Sequence, residues 1–151
     1  MKKLCIYLDN CCYNRPFDDL SQAKIKNEAV AKIFIQTLIK YRSVTLCTSY
    51  MLSFEVSENP YAGKREHIQQ FVNDYSSIYV SQKRETEILP LAKEIMDTGI
   101  KLKDAVHLAC SIHADCDYFI TTDKRVLNYK TEAIKILNPI DFVNVWRDLD
   151  D

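Results

Sequence analysis

Leu4-Cys5-Ile6-Tyr7-Leu8-Asp9 opens the chain as an unbroken apolar run that stops on a carboxylate. Tyr118-Phe119-Ile120-Thr121-Thr122-Asp123 repeats the pattern far along the sequence. A near-continuous apolar run is what a strand buried on both faces requires, and such strands belong to parallel sheets. Open parallel sheets place their chemistry beyond the carboxyl ends of the strands. Asp9 and Asp123 are therefore expected at one edge of one sheet.

Between these runs the pattern alternates. Strand 3–8 is followed by the polar turn Asn14-Arg15-Pro16-Phe17-Asp18-Asp19 and a helix over 21–41, whose apolar residues Ile25, Ala29, Val30, Ile33, Phe34 and Leu38 recur at helical spacing. A strand at 44–48 feeds a short helix carrying Glu55, which must stop near Asn59-Pro60 because proline disfavours helix in the residue before it. Helix 62–75, strand 78–80, helix 84–98 ended by Gly99, and helix 103–114 come next. Strand 118–122, a turn or short helix at 123–128, strand 134–137 and a helix near 140–147 complete the order. This alternation predicts an α/β fold of three α/β/α layers with a central, mostly parallel sheet, as a single domain over 1–147. The acidic end 148–151 reads as a frayed, solvated tail.

Composition narrows the function classes. At 151 residues and 47% hydrophobic, the chain can build a core without staples. Its longest apolar stretches fall far short of a membrane span, and no small-residue cleavage site follows the N-terminal run, so a soluble cytoplasmic protein is expected. Only Gly63 and Gly99 are present, which excludes a P-loop and a G-x-G-x-x-G fingerprint. The six cysteines form no CxxC pair, and Cys5, Cys47 and Cys110 lie in apolar patterns, so buried thiols are expected rather than a zinc site or disulfides.

Four carboxylates carry the chemistry: Asp9, Glu55, Asp104 and Asp123. Each has a plainer reading alone. Asp104 opens the helical segment Asp104-Ala105-Val106-His107-Leu108-Ala109-Cys110, where a first-turn carboxylate can simply serve the helix dipole. Asp123 can cap the turn after its strand, Asp9 can be a loop carboxylate, and Glu55 a solvated helical glutamate. Together they occupy strand ends or the first turns of the following helices. Crowded carboxylates repel, and a cation is what would hold them together. Hard oxygen donors suit Mg²⁺ or Mn²⁺, and a pair of such ions can both activate water and stabilise a leaving oxygen in phosphodiester hydrolysis. The set points to a metal-dependent nuclease. Basic residues flank it: Arg15, Lys101, Lys103, Lys124 and Arg125.

At these residues the sequence resembles a known family. "YLDNCCYNRPFDD", "TSYMLSFEVSENP", "KDAVHLA" and "DYFITTDKRVL" are similar to the successive motifs of PIN domains, in particular small single-domain toxins of the VapBC class. The resemblance covers essentially the whole chain. It implies a metal-dependent endoribonuclease that cleaves RNA, is usually a homodimer, and is inhibited by a cognate antitoxin protein. Its acidic positions map onto Asp9, Glu55, Asp104 and Asp123, with Asp9, Asp104 and Asp123 as the metal-holding set. Thr121 and Thr122 match its small hydroxyl residue before the last aspartate. Asn10 stands where many members carry serine or threonine; it could bond a metal-bound water or phosphate, or serve only the turn.

Asn10, Arg15, Thr121, Thr122 and Lys124 are the expected substrate contacts. Arg15 could equally pair with Asp18 or Asp19. His107 could be an outer-shell ligand or a packed histidine, and Asp117 a fifth carboxylate or merely the residue before its strand. An inhibitor would fit by sending an arginine among the carboxylates, docked on aromatics such as Tyr13, Phe17 and Tyr50. The competing reading is a PIN-fold module that binds RNA or protein without cutting. A phosphoacceptor-aspartate domain fits poorly, since the Asp-x-Asp form of that chemistry is broken by Cys11.

Overall fold

The computed structural model describes residues 3–13 and 23–150. Arg15 and Phe17, singled out from sequence, lie outside them. In chain order the elements are β1 (Cys5–Leu8), a 3₁₀ turn (Asn10–Cys12), α1 (Ala23–Lys40), β2 (Thr45–Ser49), α2 (Tyr50–Ser57), α3 (Ala62–Tyr75), β3 (Ser76–Val80) and a 3₁₀ turn (Gln82–Arg84). There follow α4 (Glu85–Met96), α5 (Leu102–His113), β4 (Tyr118–Ile120), α6 (Lys124–Leu127), β5 (Lys135–Leu137) and α7 (Pro139–Asp150). No described helix is long and apolar enough to cross a membrane.

The five strands form one sheet in the order β3-β2-β1-β4-β5, every pairing parallel. Alternation along each strand builds two cores. Cys5, Tyr7, Cys47, Val80 and Phe119 point to one face, where Ile88, Ala92 and Ile95 of α4 and Ala105, Leu108 and Ala109 of α5 cover them. Ile6, Leu8, Leu46, Tyr118 and Ile120 point to the other, under Ala31, Ile35 and Ile39 of α1, Ile68 and Phe71 of α3, and Phe142 of α7. The result is the three-layer α/β/α arrangement with the sheet in the middle.

This order makes the gap between β1 and β4 the switch point. From β1 the chain leaves through α1 toward β2, and from β4 through α6 toward β5, in the opposite direction and on the opposite face. Diverging connections leave a crevice at the strand ends. Asp9 sits one residue beyond β1 and Asp123 three beyond β4.

Some sequence expectations shift. The core stripe of α1 is Ala31, Ile35 and Ile39, whereas Val30 and Ile33 are 60% and 53% exposed. Tyr13 is only 2% exposed and belongs to the core, and Tyr50 is half-buried with its hydroxyl enclosed, so neither offers the open aromatic surface expected for an inhibitor. The last helix continues through Asp150, beyond the boundary at 147. Asp117 sits at the amino end of β4, where its carboxylate accepts from Cys5 N at 2.8 Å. It ties two strands together at the edge opposite the crevice and supplies no fifth carboxylate there. None of the six cysteines forms a disulfide, and only Cys11 is less than fully buried.

Candidate active site

The site begins with how β1 ends. Asp9, 8% exposed, leaves the strand and caps the 3₁₀ turn: its Oδ1 accepts from Asn10 N at 2.8 Å. Its Oδ2 accepts from the Thr121 hydroxyl at 2.7 Å. Thr121 is fully buried, and its Oγ1 accepts in turn from Asp123 N at 3.1 Å. A single hydroxyl therefore ties the end of β1 to the end of β4. Thr121, expected at the substrate, is buried and holds Asp9. Asp123 caps α6, its Oδ1 accepting from Arg125 N at 2.8 Å. The capping reading of Asp123 is thus correct as far as it goes, and Asp9, read alone as a loop carboxylate, caps as well.

Asp104 lies in the first turn of α5, with Lys101 as the residue before the helix. It is half-buried. Burial raises its carboxyl above the ordinary value, the charges of Asp9 and then Asp123 raise it further, and Glu55 adds to them; His107 works in the opposite direction. Asp104 therefore feels all three of the other carboxylates expected at the site, from three separate segments. Thr122 is half-buried and donates to Cys11 Sγ at 3.3 Å, while Lys124 is exposed at the start of α6.

Glu55, on α2, has a different environment. Its carboxylate accepts a close hydrogen bond from Nε2 of His107. Burial pushes Glu55 up, but the hydrogen bond and charge of His107, with Lys103 and the Asn10 side chain, outweigh it and leave the carboxyl below its ordinary value. His107 is fully buried one turn along α5 from Asp104. Its Nδ1 meets the Tyr7 hydroxyl at 2.5 Å, and that hydroxyl lies 2.6 Å from Ser49 Oγ. Ser49 caps α2, accepting from Leu52 N at 3.2 Å. A carboxylate only accepts, so Nε2 carries a proton, and Nδ1 shares its hydrogen bond with the Tyr7 hydroxyl. Burial holds the Tyr7 phenol well above its ordinary range, so it stays a donor.

Sequence reading found the carboxylates and left His107 open; it missed Tyr7 and Ser49. Tyr7 was counted as one more apolar strand residue, and its phenol has no local signal. Ser49, before a helical run, did carry one, since serine is a favoured N-cap.

An ion would be held by oxygen donors only, from Asp9, Asp104 and Asp123, a set that fits Mg²⁺ or Mn²⁺. Among the described residues, no three His, Cys, Asp or Glu side chains stand close enough to enclose an ion as they are. Binding therefore requires the carboxylates to draw together, and the raised Asp104 is what a group short of counter-charge looks like.

That repulsion has a measurable consequence. A folded value above the unfolded one means the penalty is absent at low pH, develops as pH rises through the unfolded and then the folded value, and is complete above both. Asp104→Asn is expected to raise Tm by about 1–3 °C at pH 7 in EDTA, a small effect because the group is half-exposed to screening solvent. The gain should shrink toward pH 3 in thermal melts. A Tm lower than wild type at pH 7 would mean that Asp104 holds the fold and is not strained by its neighbours.

No protein-family model matches the sequence, and no curated protein does. Solved structures do match in fold. VapBC2 from Rickettsia felis, bound to a DNA fragment from its promoter, aligns at a TM-score of 0.53 and 14% identity over 89% of this chain and 98% of the matched chain. FitAcB from Neisseria gonorrhoeae aligns at 0.55 and 14% over 89% and 97%. FitAB bound to an IR36 DNA fragment aligns at 0.56 and 15% over 89% and 95%. At these identities the likeness is one of fold, and the α/β/α layout of this chain is PIN-like.

Proposed function

We propose that this chain is a Mg²⁺- or Mn²⁺-dependent endoribonuclease of the PIN type, hydrolysing RNA phosphodiester bonds, and the toxin of a toxin–antitoxin pair. The reading is carried by the placing of Asp9 and Asp123 beyond the ends of β1 and β4, where the strand order opens a crevice, tied through Thr121; Asp104 is raised by burial first and then by the charges of Asp9, Asp123 and Glu55. The fold likeness to VapBC and FitAB structures supports the toxin part and a cognate antitoxin as protein partner; a homodimer as the working assembly belongs to the proposal alone. Six cysteines without a disulfide fit a reducing cytoplasm.

In this reading Asp9, Asp104 and Asp123 hold the metal, which when bound lowers the pKa of water and offsets charge on the phosphoryl oxygens. The chain's own residues do the rest. Thr121 fixes Asp9 relative to Asp123. Glu55, kept ionised and aimed by His107, stands at the crevice wall as the group able to orient a water or hold its proton. Lys124, exposed beside Asp123, would meet substrate phosphate.

Metal removal tests the reading directly. A mixed RNA pool should be degraded with Mg²⁺ or Mn²⁺, stay intact in EDTA, and be degraded again when metal is restored in excess. RNA that survives intact with either metal would overturn the nuclease and leave the alternative, a PIN-fold module that binds RNA or protein without cutting it.

A further inference from the structure

We propose that the groove between α2, the turn leading into α3 and the start of α5 is a subsite for single-stranded RNA, with Tyr61 as the platform on which a base stacks. The groove, about 380 Å³, runs from Asn10 and Glu55 past Asn59 to Tyr61, Lys64 and Lys103. It is continuous with the candidate active site, because Glu55 forms part of both walls. The volume falls within the usual range for ligand clefts, roughly 300–1,000 Å³.

Three features select the ligand. Tyr61 leaves 65% of its surface in solvent, although a large ring gains by burial. Its backbone is fixed by the turn: Asn59 Oδ1 accepts from Tyr61 N at 3.0 Å, and Arg65 donates to Asn59 O at 2.9 Å. Cations accompany the exposed rings. Lys64 Nζ lies 5.0 Å from the Tyr61 ring centre, and Lys103 Nζ lies 5.3 Å from that of Phe54, itself 49% exposed. Lys103 also pairs with Glu58 at 3.1 Å, but both side chains are half in solvent, where such a pair holds weakly and a phosphate can compete. Exposed aromatics beside lysines are the chemistry of single-strand binding, with bases on the rings and phosphates at the ammonium groups. A duplex keeps its bases stacked on one another and cannot offer one to Tyr61. A protein partner would more naturally cover an apolar surface than this polar, open groove, whose lining includes Lys64 and Lys103 beside Glu55 and Glu58.

The identity of the ligand as RNA rests on the nuclease reading; the stacking site itself does not. The test uses the full chain with Asp104→Asn as parent, so that RNA survives, and follows fluorescence anisotropy of a labelled single strand of about ten nucleotides. Tyr61→Ala should weaken binding about tenfold, while Tyr61→Phe and Tyr61→Trp retain it. Lys64→Ala and Lys103→Ala should each reduce the salt dependence by roughly one unit of slope. In the cleaving enzyme, Tyr61→Ala should raise KM with kcat little changed. A parent that binds no single strand, a Tyr61→Ala variant that binds as the parent does, or a Phe variant as weak as Ala overturns the subsite. So does a Tyr61→Ala variant that keeps RNA but loses a protein partner, which would make the surface a protein interface. Cleavage with Tyr61-independent binding removes the groove and keeps the nuclease. Tyr61-dependent binding in a chain that never cuts does the reverse.

Discussion

Asp104→Asn is expected to lower RNA cleavage about a thousandfold or more while leaving the protein folded. The substitution keeps the size of the side chain and one oxygen, and removes the charge that a divalent ion would meet. Metal-based stabilisation is worth several kcal/mol at the transition state, and each 1.36 kcal/mol is tenfold in rate. Asp104 is the right residue to change because it feels Asp9, Asp123 and Glu55 at once, and no backbone cap depends on it as one does on Asp9 or Asp123. Cleavage within tenfold of wild type would sink the assignment, and so would a variant that fails to fold. The same pair separates the enzyme from its biological role. Expressed alone in a bacterial host, wild type should arrest growth and Asp104→Asn should not. Harmless expression of an active, metal-loaded enzyme would count against the toxin and spare the nuclease.

How far the sequence carries depends on whether the deciding interaction is local. The strands of the site were legible because burial on both faces forces continuous apolar runs, and Asp9 and Asp123 because they fall where those runs stop. Asp117 looked ambiguous, yet strand direction resolves it: in a parallel sheet one end of β4 faces the crevice, and Asp117 stands at the other. The face of α1 was misjudged for a different reason. Ala29 through Ile39 is apolar nearly throughout, so two stripes satisfy helical spacing, and only the neighbours decide that Ala31, Ile35 and Ile39 turn inward. Tyr13 likewise reads as a loop aromatic until Phe71 is found packed edge-on against it at 6.0 Å. Nothing local marks Tyr7 as polar machinery, since its partners are 42 and 100 residues away in sequence.

The second large effect is expected at His107, where stability and activity should fall together for separable reasons. His107→Ala opens a cavity in a close-packed layer and removes one of the two hydrogen-bond partners of the buried Tyr7 hydroxyl, leaving Ser49. Truncation and the lost buried hydrogen bond together cost about 3–5 kcal/mol, which at this chain length lowers Tm by roughly 10 °C. It also releases Glu55 from the hydrogen bond that keeps it ionised and aimed, so kcat should drop even in the fraction that folds. Tyr7→Phe separates the two contributions. The ring still stacks on Phe119 at 5.3 Å and meets His107 edge-on, so packing survives while the link between Ser49 and His107 is cut. His107→Gln keeps a donor that can reach Glu55 and should recover part of the lost kcat without recovering the ring's packing. If the four groups act as one chain, Tyr7→Phe and His107→Gln will be non-additive in kcat, because the first has nothing left to orient once the second is made. Strict additivity, with the double variant losing the product of the two single losses, would show His107 to be a packed residue that happens to touch Glu55.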